Sequence, residues 1–65
     1  MLQFKVEDMT CNHCVGAVTL AIKEAAPDSK VEIELEQHTV RVQTQADART
    51  VSEAIAQAGY TPVPD

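Results

Sequence analysis

The hydrophobic period of this 65-residue chain alternates between two and about 3.6, and few folds accept elements in that order. Leu2, Phe4 and Val6 alternate with Gln3, Lys5 and Glu7, the mark of a half-buried strand. Val15, Val18, Ile22 and Ala25 then share one helical stripe, predicting a helix from about Asn12 to Ala26 that Pro27 stops, with Asp28 and Ser29 as turn residues. Leu20 points off that stripe, as an isolated surface residue or a partner contact.

Val31, Ile33 and Leu35 alternate with Glu32, Glu34 and Glu36, and Val40 and Val42 with Arg41 and Gln43. Gln37, His38 and Thr39 break the two runs, so a hairpin is expected. Its glutamates belong on the solvated face, with Arg41 and Lys5 close enough across the sheet to offset their repulsion. Asp47 is a candidate N-cap for a second helix, with Thr50 and Glu53 as a rival capping box. Val51, Ala54, Ile55 and Ala58 give that helix one apolar face, and Gly59 is its expected left-handed terminator. Tyr60 to Val63 can return as a last strand, which Pro62 confines to a sheet edge. This order predicts an α+β, ferredoxin-like βαββαβ sandwich: an antiparallel four-stranded sheet with both helices on one face, residues 1–65 forming a single domain.

Fifteen Leu, Ile, Val and Phe residues, about 23% of the chain, suffice for collapse. So short a chain buries only about 60% of its unfolded surface, which points to modest stability and excludes chemistry divided between two lobes. Ten acidic against five basic residues give a formal charge of −5 with no basic cluster, which argues against nucleic acid and anionic lipid as partners. No apolar stretch approaches a membrane span, and Met1 leads directly into the first strand pattern without a secretory leader. A soluble, cytoplasmic protein is expected.

Cys11 and Cys14, in the order Cys-Asn-His-Cys, fall at the junction of the first strand and first helix. Both sulfurs thus belong to one loop. The positive end of the helix and its unpaired first-turn N–H groups are expected to lower their pKa values. Inert buried cysteines normally occupy apolar periodic positions, whereas Cys11 stands between Thr10 and Asn12. A closed zinc site needs about four ligands, and with His38 assigned to the far hairpin turn the chain cannot assemble them. A thiol-disulfide redox protein uses the same spacing but a longer fold. Cu(I), soft and content with few sulfur ligands, suits two thiolates better.

Met9-Thr10-Cys11-Asn12-His13-Cys14 resembles the MxCxxC metal loop of heavy-metal-associated domains, and His13 is similar to the His of CopZ-type bacterial copper chaperones. The resemblance extends over nearly the whole chain, through Val31 to Leu35 and through Ala54-Ile55 to Ala58-Gly59-Tyr60. It implies that Cys11 and Cys14 bind Cu(I), that Met9 anchors the loop from within the core, and that Tyr60 shields the metal. Met9, Thr10, His13 and Tyr60 are accordingly the supporting residues, although the Met9 thioether is also a potential copper ligand. His13 is expected to point outward, either solvated or facing a partner.

Where the family usually has Gly before this Met, the chain has Asp8. Asp8 either adopts the special backbone geometry that Asx residues tolerate or serves as an extra oxygen ligand favouring zinc. The reading that follows is a copper chaperone, not an enzyme, delivering Cu(I) by ligand exchange to the metal-binding domains of a copper-transporting P-type ATPase. The span of a single domain favours a shuttle over a transporter fragment. A Zn(II) or Hg(II) carrier is the alternative within this fold, and whether metal bridges two copies into a homodimer is left open by the sequence.

Overall fold

In the computed structural model, which describes residues 2–64, the first strand β1 (Leu2–Val6) runs into the cysteine loop and the first helix α1 (Asn12–Ala25) carries the chain back. Strand β2 (Lys30–Glu34), a short 3-10 turn (Leu35–Gln37) and strand β3 (Thr39–Gln43) make the hairpin. Helix α2 (Ala48–Gln57) and strand β4 (Pro62–Pro64) complete the predicted order. The sheet order is β2-β3-β1-β4, antiparallel throughout. This is the ferredoxin-like sandwich.

Phe4 and Val6 from β1, Val40 and Val42 from β3, Val18 and Ile22 from α1 and Val51 and Ile55 from α2 form the core with Met9. Phe4 pairs with Val40, and Val40 with Ile33, so the apolar residues of three strands face the helices together. Each full burial of such a side chain contributes about 1.5–3 kcal/mol relative to exposure. The helical stripe departs from expectation at its end: Ala25 is exposed and the capping residue Ala26 is buried, because the backbone leaves helical geometry there. Leu20 is 62% exposed.

Two expectations about the hairpin need correction. Leu35 belongs to the 3-10 turn instead of β2, while Thr39 begins β3 opposite Glu34. Arg41 does meet a glutamate, at 3.1 Å from Glu34, but β3 separates Lys5 from the glutamates of β2. Pairing with the edge strand β4, Lys5 faces Val63 and Thr39 instead.

Asp47 is the N-cap of α2, its carboxylate accepting the Thr50 N–H at 2.9 Å. That cap excludes the rival start at Thr50. At the other end, Gly59 has φ of +100°, Gly59 N–H donates to Ala56 O at 3.0 Å and Tyr60 N–H to Ile55 O at 3.3 Å. This pair of bonds is a Schellman termination, which reverses the chain and sends Tyr60 back toward the start of α1. Away from that end, Asp28 ties two loops by accepting from Gln45 N–H at 2.8 Å and Thr44 Oγ1 at 2.9 Å.

Candidate metal centre

Cys11 is the N-cap of α1, in extended geometry and with no hydrogen bond from its side chain to the helix. An Asp or Ser at that place would turn its oxygen onto the first-turn N–H groups. The Cys11 sulfur instead remains available. It is exposed, Cys14 lies partly exposed one turn on, and both thiols are free.

The two sulfurs are 3.2 Å apart. At that distance either thiol can donate its proton to the other sulfur. An ion placed on the line between them has to displace that proton and part the sulfurs. The exposure of Cys11 leaves its side chain room to move.

The Cys14 thiol is lowered from its ordinary value of 9.0 to about 6. The largest cause is the Tyr60 hydroxyl facing its sulfur, followed by the Cys11 thiol and the backbone N–H groups of Thr10 and Cys11. In return the Cys14 sulfur raises Tyr60 from 10.0 to about 12, with burial and the charges of Cys11 and Asp8 adding to the shift. The largest lowering thus comes from a residue near the far end of the sequence.

Among the supporting residues, Met9 is fully buried in the core, at 0% exposure. Its thioether faces apolar neighbours, and its N–H donates to Val6 O at 3.2 Å, closing a turn before the cysteines. Thr10 and His13 are exposed. Asp8 uses Oδ1 to accept the Thr61 N–H at 3.1 Å, linking the loop to the segment that bears Tyr60. Among the described residues, no group of three or more His, Cys, Asp or Glu side chains gathers to hold a metal.

His38 departs from its expected place in a far hairpin turn. Its hairpin turn lies beside the cysteine loop and not at the far end, because antiparallel pairing of Lys5 with Thr39 brings the start of β3 to the end of β1. The ring Nδ1 is 3.0 Å from Met9 O, and His38 O accepts the Val6 N–H at 2.7 Å. The residue adopts a left-handed backbone, φ 53°, which costs on the order of 1 kcal/mol outside glycine. A bulky left-handed residue after a 3-10 turn leaves no motif in the sequence; only strand register reveals it.

A shallow groove of about 750 Å³ lies between the helices, lined by Leu20, Ala21, Glu24, Glu53 and Ala54 among others. It is remote in composition from the sulfur loop and encloses no reactive group. Among the described residues the paired thiols stand on the rim of a small sandwich, an arrangement that suits a metal-binding domain.

Residues 3–61 match the heavy-metal-associated domain family, and the chain belongs to it. It is 37% identical over 60 residues to the copper chaperone CopZ of Archaeoglobus fulgidus, covering 92% of this chain but only 29% of that protein. It is 36% identical over 59 residues to CopZ of Staphylococcus epidermidis, covering 86% of this chain and 87% of that one. Among solved structures, a gold binding protein superposes with a TM-score of 0.95 at 28% identity, each chain fully covered. The copper chaperone Atx1 from Synechocystis superposes at 0.92 with 27% identity, covering 95% of this chain and 98% of its own.

Proposed function

We propose that this protein is a cytoplasmic copper chaperone that carries one Cu(I) between Cys11 and Cys14 and passes it to the CxxC domains of a copper-transporting P-type ATPase. The observation that carries this reading is the pair of accessible sulfurs 3.2 Å apart, one of them an acidic thiol. Two thiolates with no cluster of further His, Asp or Glu ligands among the described residues favour a soft ion of low coordination number. The copper chaperones among its relatives support the same choice.

Transfer proceeds by ligand exchange. An incoming thiolate forms a third copper–sulfur bond, and the bond to Cys11 or Cys14 then breaks; the copper stays Cu(I) and no free ion is released. A second incoming thiolate displaces the remaining cysteine in the same way, and each departing thiolate takes up a proton from solvent. The protein acts as a carrier, not as an enzyme, and no helix among the described residues is long and apolar enough to cross a membrane.

The test is Cu(I) uptake by anaerobically reduced protein against a competing chelator. About one equivalent is retained, and the doubly substituted Cys11→Ser, Cys14→Ser protein loses uptake while keeping its circular dichroism spectrum. Equal retention by the double variant would overturn the reading. The short sulfur separation also suits a thiol-disulfide exchanger, and catalysed reduction of insulin disulfides beyond that of a free dithiol would favour that second function.

A further inference from the structure

His38 grips the turn that precedes the cysteine loop at both of its ends. Its main-chain carbonyl takes the Val6 N–H at 2.7 Å, and its ring Nδ1 meets Met9 O at 3.0 Å. Between those two points the chain closes on itself through the Met9 N–H to Val6 O bond of 3.2 Å. A carbonyl oxygen can only accept, so the proton of the neutral ring sits on Nδ1. The left-handed backbone at His38 is the conformation in which the structure holds both contacts, with its own N–H bonded to Leu35 O at 3.1 Å.

Met9 is the last residue that the core holds before Cys11, with Thr10 between them exposed. Its carbonyl marks the point at which the backbone leaves the packed interior. We infer that His38 is a positioning residue for the metal loop: its imidazole fixes the Met9 peptide, limits opening of the Thr10–Cys11 segment, and thereby slows release of the bound ion. This role rests on the copper-carrier reading, but the brace itself belongs to the metal-free protein and can be examined there.

Two substitutions separate the backbone from the side chain. His38→Gly accepts the left-handed conformation more readily than histidine and removes the donor. His38→Asn also tolerates that conformation, and its side-chain amide places an N–H donor at nearly the position of Nδ1. The metal-free proteins are compared by amide hydrogen exchange at Thr10 and Cys11, and the Cu(I)-loaded proteins by the rate of copper release to excess bathocuproine disulfonate.

In His38→Gly both exchange and release rise about threefold to tenfold, the equivalent of losing one ordinary hydrogen bond, without a loss of global stability. In His38→Asn both return toward the unsubstituted protein. Unchanged loop exchange in His38→Gly overturns the brace, as does an equal rise in His38→Gly and His38→Asn. Faster exchange with unchanged release overturns its control of the ion. Failure of the unsubstituted protein to take up Cu(I) would instead remove the carrier reading, while the exchange comparison still decides whether the brace exists.

Discussion

The Tyr60 hydroxyl faces the Cys14 sulfur, and each shifts the other's proton equilibrium in the direction that keeps the proton on oxygen and off sulfur. Tyr60 is placed there by the Schellman turn at Gly59 and by Asp8, which holds the next residue through the Thr61 N–H. The thiolate is thus stabilised by a donor that it does not share with its own helix.

Removing that donor should make Cys14 less acidic. With Cys11→Ser as background so that one thiol is followed, the pH at half-maximal alkylation of Cys14 is expected to be higher in Tyr60→Phe than with Tyr60 in place, both lying above the value of about 6 that holds when the Cys11 thiol is present. An unchanged midpoint would mean that the hydroxyl does not govern the thiol.

The same shift links stability to pH. Because the folded-state value of Cys14 lies below the unfolded one, its contribution is complete above 9.0 and is lost as pH falls through about 6. Tyr60 has the opposite sign: its contribution is complete below 10.0 and disappears as pH rises through about 12. Urea unfolding of the reduced, metal-free protein should show stability rising between about pH 6 and 9, and Cys14→Ser should flatten that slope.

Met9 offers a division between packing and ligation. Met9→Leu conserves volume and should cost less than about 1.5 kcal/mol, whereas Met9→Ala should cost about 2–5 kcal/mol through the cavity it leaves. Denaturation midpoints give these costs. Copper stoichiometry by chelator competition should be unchanged in Met9→Leu, since the buried thioether faces the core.

Asp8 should act on the loop through Thr61 without binding the ion. With Asp8→Gly, Cu(I) is still expected to outcompete Zn(II) and Hg(II) to the same degree as in the unsubstituted protein. A Zn(II) preference that vanishes on this substitution would make the carboxylate a ligand and change the assigned metal.

Ser29 is 3% exposed, and its hydroxyl has no hydrogen-bond partner among the described residues. Burying an unpaired hydroxyl costs about 1–3 kcal/mol, so Ser29→Ala should be neutral or stabilising. For a domain of this size a gain of 1 kcal/mol moves the melting temperature by about 4–8 °C, readily seen in a thermal scan. A clear fall in melting temperature would show that the hydroxyl is satisfied in solution.

Much of the architecture was legible because it rests on local repetition. Alternation at Leu2 to Val6, the stripe through Val18 and Ile22, the Asp47 cap and Gly59 each report an element or its end within a few residues. The hairpin was less legible at Leu35 and Thr39, where an apolar residue sits in a turn and a polar one in a strand. At Lys5 the period correctly predicted the solvated face but carried no information on which strand would lie beside it.

The chain order of its residues determined the elements, the apolar face each must bury, and the two sulfurs one helical turn apart at a strand-to-helix corner. Packing decided what surrounds them. Tyr60 and His38 reach the loop from positions 46 and 29 residues beyond Cys14 and Met9 because antiparallel strand order and helix reversal return them to the same rim. Hydrophobic period is a property of neighbours along the chain, whereas a hydrogen bond across the fold depends on register and side-chain direction, which exist only once the sheet has formed.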